Sequence, residues 1–561
     1  MKKQQIKLRP AVIATLLGIG ICLFFIVCGN LNYETNDDEL LNLIAAGAWG
    51  FKSSQYLVYQ NIVLGYVFKM LYTVLPCLNN YAIFFIICNV VCVVLLAYRF
   101  GKTHSTAVSI LFVTGLCILL KADFFETIQY TKNAFLYAAV GWIYLLSQNS
   151  DHKISDSVIG IVLLSISFMT RKESMLFSTP FVIAWLIGHR SIIRDHRTIF
   201  IKRGCILLIV IVGLFLINKL SLRSPEWNAY IRYNDVRTEL LDYGIPSYEE
   251  NSQFYDSTGI SENDLDVMSQ WNYGDNQVYD YETMHSIADL KHRPLFSISS
   301  LITSMEDLYT VAHSSALPAI WFLLIAAIVF LHNKEGAIFM VLSSLVIFVE
   351  YVFLNNNLRV IWRVEIGIWL IPILLALFEL NGERETDSSL SIPSLIASLL
   401  ALSVIASQLV FNFAFRKHFS ISLKNEDNRY DEITELMEAY PDTLFLADTL
   451  SLSSYSNRIS YGIYDISRTK YKDLFQNVNL LGSWMYPSPH VVNYEANSGI
   501  ENPLESLLED NVIFLIKHDS FYENESDLIL TFLQEHYDSS AEYVVIDTVG
   551  DLDLIKYSHG T

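Results

Sequence analysis

Residues 24–50 read FFIVCGNLNYETNDDELLNLIAAGAWG. An apolar run ends here, and Asn36, Asp37, Asp38 and Glu39 then stand side by side. Three adjacent carboxylates repel one another and gain little from a nearby membrane, so their purpose depends on which side of the bilayer they face. Working outward, residues 11–29 are long and apolar enough to cross a bilayer, which takes roughly 17–25 residues. No small-residue cleavage site follows them and further apolar stretches do, so the segment reads as an uncleaved anchor.

Of the 561 residues, 52% are hydrophobic and only 17% are charged, with a mean hydropathy of +0.34, too apolar for a set of soluble domains. Further spans are expected at 81–98, 105–120, 133–147, 155–170, 174–188, 204–218, 314–331, 336–354, 360–379 and 391–412, about eleven in all. The predicted fold class is mainly α, a polytopic transmembrane bundle over residues 1–412. An outer loop domain and a small C-terminal α/β domain at 413–561 complete it. The seven cysteines lie in or beside apolar segments without C-x-x-C spacing and read as small buried hydrophobes.

Lys and Arg accumulate in short cytoplasmic loops. MKKQQIKLRP at 1–10 and HRSIIRDHRTIFIKR at 189–203 therefore belong inside. The parity holds if residues 40–76 lie on the outer surface as amphipathic helices, interrupted as they are by Lys52, Gln55, Gln60, Asn61 and Lys69. The N-terminus is then cytoplasmic and the C-terminus extracytoplasmic. The first loop (30–80), the acidic triplet, the large loop 219–313 and the tail all face out. Residues 221–310 and 413–561 together carry 41 of the 58 carboxylates, so the net charge of −20 belongs to the outer surface. Such a surface excludes nucleic acid as a partner. The loop mixes Trp and Tyr with Asp, Asn and Gly, as suits either a sugar-touching domain or a solvated acidic loop. The tail alternates a helical pattern (DEITELMEAY) with short β-rich runs (TLFLAD, NVIFLIK, EYVVID).

For NDDE, one reading is local: Asn36 as N-cap with Glu39 at capping-box spacing, the acids favoured by the helix dipole. The other places Asp37, Asp38 and Glu39 where a lipid-linked substrate presents its headgroup. In the second outer loop, Asp123 and Glu126 fall on one helical face. They serve either as an oxygen site for Mg2+ or Mn2+ or as partners of Lys121 and Lys132. Arg171, Lys172, Arg359 and Arg363 occupy short outer loops that normally lack cations. They call for an anion, with Glu350 and Glu365 as the alternative partners. His313 and His490 read as structural. No P-loop, G-x-S-x-G, H-E-x-x-H or dinucleotide fingerprint occurs, so recognisable machinery for nucleotide hydrolysis, serine hydrolysis and redox work is lacking.

An acidic motif directly after the first span, surface-lying helices, many spans and an outer C-terminal domain together resemble the GT-C class of membrane glycosyltransferases. That class includes protein O-mannosyltransferases and lipid A aminoarabinose transferases. Asp37, Asp38 and Glu39, Asp123 and Glu126, and the arginines of NLRVIWR carry the likeness over residues 1–412; a W-W-D signature is absent, which speaks against peptide transfer. The segments NDD, YND-x-R and R-x-x-x-R also resemble those of bacterial membrane proteins, which suggests a cell envelope. The resemblance implies a multi-pass cell-membrane enzyme that accepts a polyprenyl-phosphate-linked sugar from among the membrane lipids and passes it to a glycan or lipid acceptor with inversion. Asp37 or Asp38 would be the base. Arg359 and Arg363, helped by Arg171 and Lys172, would bind the departing phosphate, with or without Mg2+ or Mn2+ on Asp123 and Glu126. The competing readings are an envelope polysaccharide polymerase, a transporter or flippase, and an assembly protein. The large outer regions and the lack of internal repeats count against a transporter.

Overall fold

The computed structural model describes residues 10–28, 31–48, 52–147, 154–291, 297–357, 359–379, 436–437, 439–448, 451, 476–518, 524–550 and 552–560. The expected span at 391–412, the basic residues before Pro10 and most of DEITELMEAY lie outside them. The chain is mainly helical. It opens with α1 (Pro10–Cys28), a short strand β1 (Asn32–Tyr33), α2 (Asn36–Ala46), α3 (Ile62–Val74), α4 (Asn80–Thr103) and α5 (Thr106–Leu120). A π-helical turn (Lys121–Glu126) follows, then β2 (Thr127–Ile128), α6 (Tyr130–Leu145), α7 (Ile154–Thr170), α8 (Lys172–Gly188), α9 (Arg190–Asp195) and α10 (Arg197–Ser221). The large loop holds α11 (Pro225–Arg237), α12 (Tyr248–Thr258), α13 (Glu262–Ser269) and α14 (Tyr281–Asp289). The chain then returns through α15 (Ile298–Ser314), α16 (Ala316–Phe330), α17 (Lys334–Asn356) and α18 (Trp362–Leu377).

Among the described residues, five helical segments are long and apolar enough to cross a membrane: α1, α4, α5 with its π-turn, α10 and α17. The pair α15 and α16, bent by 90°, makes a sixth if it counts as one span. The other expected spans correspond to shorter helices, α6, α7, α8 and α18, of 16 or 17 residues. α6 shows why shortness does not expose a helix here. Flanked by other helices, it is buried over all 16 residues and packs against α4, α7, α8 and α18. Its contact with α7 is close because Gly141 faces Gly160: a Cβ on Gly160 would lie 2.8 Å from the backbone N of Leu145. α10 is the opposite case. It exposes Ile206, Leu208, Ile209, Val212, Phe215 and Leu216, an apolar surface suited to lipid.

Contacts sort the helix ends into two rims. At one, β1 pairs in parallel with β2, joining the ends of α1 and α5, and Asn61 bonds the backbone of α7 and α10 at Met169 and Leu214. At the other, Arg203 of α10 donates to the carbonyls of Leu145 and Ser147, and His189 meets Glu379 at 2.8 Å. Arg190, Arg194, Arg197, Lys202 and Arg203 belong to this second rim, and the acidic triplet to the first.

Beyond the first rim stands a five-stranded sheet of β3 (Leu444–Ala447), β4 (Val478–Leu480), β5 (Val512–Lys517), β6 (Glu542–Val549) and β7 (Leu552–Ser558), in the order β4-β3-β5-β7-β6. β3 runs parallel to β4 and β5, and β7 antiparallel to β5 and β6. Among the described residues, helices α19 (Pro489–Asn497) and α20 (Glu525–His536) accompany it. Packing crosses the expected boundary at 412/413. Residues 271–275 run against 481–483 so tightly that a Cβ on Gly482 would lie 1.8 Å from the Trp271 carbonyl oxygen. Leu504 N–H donates to the Gly274 carbonyl at 2.9 Å, and Asn272 and Tyr273 donate to Glu525 and to the Ser483 carbonyl. Large loop and tail therefore form one packed body.

Candidate functional site

Where the triplet begins α2, the N-cap is the extended residue Thr35, and the three acids occupy the first turn. The expected capping box between Asn36 and Glu39 does not form; Thr35 Oγ1 instead donates to Asp38 at 3.3 Å. Successive helical residues point about 100° apart, so three in a row cannot share one face. Asp37 turns outward to a cavity. Asp38 and Glu39 turn into the packing and are 0% and 4% exposed.

Asp38 Oδ1 accepts from Tyr81 OH at 3.0 Å and from the backbone N–H of Tyr130 at 2.9 Å, one of the unsatisfied donors that begin α6. Burial, followed by the neighbouring charge of Asp37, holds its carboxyl well above the usual carboxylate range. Glu39 is raised likewise, first by burial and then by Asp38. Asp38 ties α2 into the bundle, Glu39 is buried beside it with Oε2 unbonded, and neither lines the cavity, which narrows the candidate base to Asp37. Asp37 has no hydrogen bond or ion pair among the described residues.

The cavity, of about 560 Å³, lies at the first rim under the outer body, within the range of small-ligand sites, roughly 300–1,000 Å³. Its cationic lining is Arg171, Arg237, Arg359 and Arg363. Arg171, in the α7–α8 junction, pairs with Glu173 at 2.9 Å and places its guanidinium 5.5 Å from the Tyr59 ring and 5.7 Å from the Tyr130 ring. Tyr59 sits between two guanidiniums, its hydroxyl 3.5 Å from Arg237 Nη2, and burial pushes its pKa up to about 12. Arg237 ends α11. It is held by Asn234 and Thr238, lies 5.2 Å from the Trp271 ring and shares Asp242 with Arg359, at 3.7 and 2.9 Å respectively.

Arg359 and Arg363, four residues apart, do not share a helical face, because α18 starts at Trp362 and Arg359 precedes it outside the helix. Both line the cavity all the same. Among the described residues Arg363 has no carboxylate within ion-pair distance. Its two expected partners are elsewhere. Glu350 is buried with both oxygens unbonded, and Glu365 accepts from Tyr351 OH. Lys172 is 60% exposed, pairs with Glu173 at 3.6 Å and does not line the cavity.

Asp123 and Glu126 also lie outside the lining, in the π-turn instead of on one face of an α-helix. Glu126 pairs with Lys121. Asp123 takes the fully buried Lys132 at 3.3 Å and Trp362 Nε1 at 3.0 Å, while Lys132 also binds Glu34. Each carboxylate has an ammonium as counter-charge, the arrangement read above as the alternative to a metal. A separate group, Asp264, Glu535 and His536, brings three ligating atoms within 4.8 Å. Asp264, however, spends one oxygen on His536 and the other on the Ser261 N–H, and so joins α13 to α20.

Arg237, Asp242, Tyr59, Trp271 and Trp484 line the cavity without having been picked out as site residues. Arg237 had a visible signal, since it closes the segment YNDVR; the others have none in the local sequence.

His490 anchors the roof. One ring nitrogen lies 2.9 Å from Ser54 Oγ, and the ring packs edge-on to Trp227, which stacks on Tyr56. Burial lowers its pKa from 6.5 to about 4, so the unfolded chain binds more protons between those values. Its contribution is complete above pH 6.5 and is lost as pH falls toward 4. Acidification from pH 7 to 5 is expected to remove about 2 kcal/mol of stability through this group. Thermal unfolding at the two pH values should show a smaller drop in His490→Gln; equal drops would remove His490 as the cause. Comparison with known proteins brings no relative to bear on this site: no family model, no curated protein and no solved structure matches the chain.

Proposed function

We propose that the chain is a membrane glycosyltransferase of the GT-C kind, which moves a sugar from a polyprenyl-phosphate donor to an envelope glycan or lipid. The observation that carries the reading is one cavity lined by four arginines from distant parts of the chain and by Asp37, a carboxylate with no partner among the described residues. Phosphate is the anion such forks suit. Paired with Glu173 and Asp242, the arginines keep surplus positive charge, and Arg363 is the one that no carboxylate among the described residues neutralises.

In this reading the acceptor hydroxyl gives its proton to Asp37 while its oxygen forms a bond to the anomeric carbon. The bond from that carbon to the phosphate oxygen breaks, and its electron pair leaves with the phosphate, whose charge the arginines stabilise. Attack opposite the phosphate inverts the anomeric centre. Tyr59, Tyr130, Trp271 and Trp484 offer ring faces for the sugar. Because Asp123 and Glu126 are engaged with lysines, no step here is routed through a metal.

We place the cavity on the extracytoplasmic face, with the basic second rim inside. Among the described residues, α1, α4 to α8, α10, α16, α17 and α18 serve as ten crossings. α3, which exposes Tyr66, Met70 and Val74, lies in the interface as a lateral gate for the lipid chain. The outer body, a loop domain joined to a small α/β domain, holds the acceptor. Mass analysis of envelope glycans from a deletion strain is expected to show loss of one sugar residue, restored by the wild-type chain. An unchanged glycan profile would defeat the reading.

A further inference from the structure

The outer body contains a second cavity, of about 420 Å³, whose lining shares no residue with the arginine site. Tyr486 and Glu495 form its buried part, 3% and 5% exposed, and Asn276, Ala496, Gly499 and Glu501 form its open rim. Tyr486 stands edge-on between Tyr233 and Tyr273, with ring centroids 6.3 and 6.1 Å away. Both neighbours place their hydroxyls, Tyr233 on the Tyr279 carbonyl and Tyr273 on the Ser483 carbonyl. Among the described residues, the Tyr486 hydroxyl has no partner. Glu495, on α19, accepts from Asn479 Nδ2 at 2.9 Å through one oxygen, and its other oxygen has none.

Both side chains are largely buried, yet their free polar atoms, a hydroxyl and a carboxyl oxygen, are not sealed from solvent and belong to the lining of the same open cavity. Together they accept and donate, which is the pattern a ligand hydroxyl satisfies. A cation is the poorer fit, because Glu501 stands exposed on the rim and Glu495 is the one buried carboxyl. Burial also pushes Glu495 up to about 8, so it is mostly uncharged at pH 7 and both donates and accepts.

We propose that this cavity binds a neutral, hydroxyl-rich ligand, a saccharide, held by Tyr486 and Glu495. Naming that saccharide as the acceptor rests on the transferase reading above; the binding itself does not.

The test is saturation-transfer NMR on the full-length protein in detergent, with glucose, galactose and N-acetylglucosamine as neutral probes and choline as the cationic one. At least one sugar should show transfer to its ring protons. Tyr486→Phe, which keeps the ring, should weaken binding three- to tenfold, the value of one hydrogen bond at about 0.5–1.5 kcal/mol. Ala496→Trp, on the exposed rim, should abolish the signal by filling the cavity, and both variants should unfold at the wild-type temperature. Arg363→Ala should leave the signal intact. Absence of transfer from all three sugars, transfer from choline alone, equal signals in both cavity variants, or loss of signal in Arg363→Ala instead would each overturn the proposal.

Discussion

Membranes carrying Asp37→Asn are expected to transfer sugar roughly 10²- to 10⁴-fold more slowly than wild type, the usual contribution of a general base, with protein level unchanged. The substitution conserves shape and removes only the capacity to accept a proton. Because Asp37 is half-buried and makes no hydrogen bond or ion pair among the described residues, its loss leaves nothing stranded in the fold. Asp38→Ala provides the contrast. It strands Tyr81 OH and the first N–H of α6, so its main effect should be on abundance and thermal stability, at about 1–3 kcal/mol per unsatisfied group. Transfer at the wild-type rate in Asp37→Asn would sink the catalytic assignment, and a selective rate loss in Asp38→Ala would move it to the neighbouring acid.

The second large effect is expected from Arg363→Ala. Of the four arginines it is the one without a carboxylate partner among the described residues, so the charge it removes is the charge a phosphate would use. Hydrogen bonds to charged groups contribute about 1.5–3 kcal/mol, so donor KM should rise roughly 10- to 150-fold while acceptor KM stays level. Arg363→Lys should recover only part of the loss, because an ammonium lacks the planar fork. Arg359→Ala should act less on the donor and more on the fold, since it frees one oxygen of Asp242 at the mouth of α11. Equal donor KM in Arg363→Ala and wild type would return Arg363 to a structural role.

The arrangement of the outer body bears on both experiments. Trp271 and Trp484 reach the cavity from segments whose backbones press together through Gly482, so the arginine-lined cavity and the outer body share a wall. Changes that loosen His490 or its aromatic neighbours should therefore alter donor and acceptor use together.

Composition and local pattern alone determined that this chain is mainly helical with several segments apolar enough to cross a membrane, that basic residues gather at 189–203, and that acids and arginines recur in short loops between apolar runs. These are properties of neighbouring residues, and the cost of burying charge in hydrocarbon enforces them segment by segment. The number of crossings was less legible. α6 is short and carries Lys132 and Asn133, and it is helical and fully buried because other helices surround it, which no window of its own sequence reports.

Only the tertiary structure decided which of three adjacent carboxylates faces the cavity, because that depends on how α2 is rotated against α3, α4 and α6. It also separated Arg363 from Lys172 and Asp123, which look equally functional in sequence but are spent on Glu173 and Lys132. And it brought Arg237, Trp271 and Trp484 to the rim of a bundle whose first acid is residue 37. A site assembled from loops hundreds of residues apart exists only once the helices between them have packed.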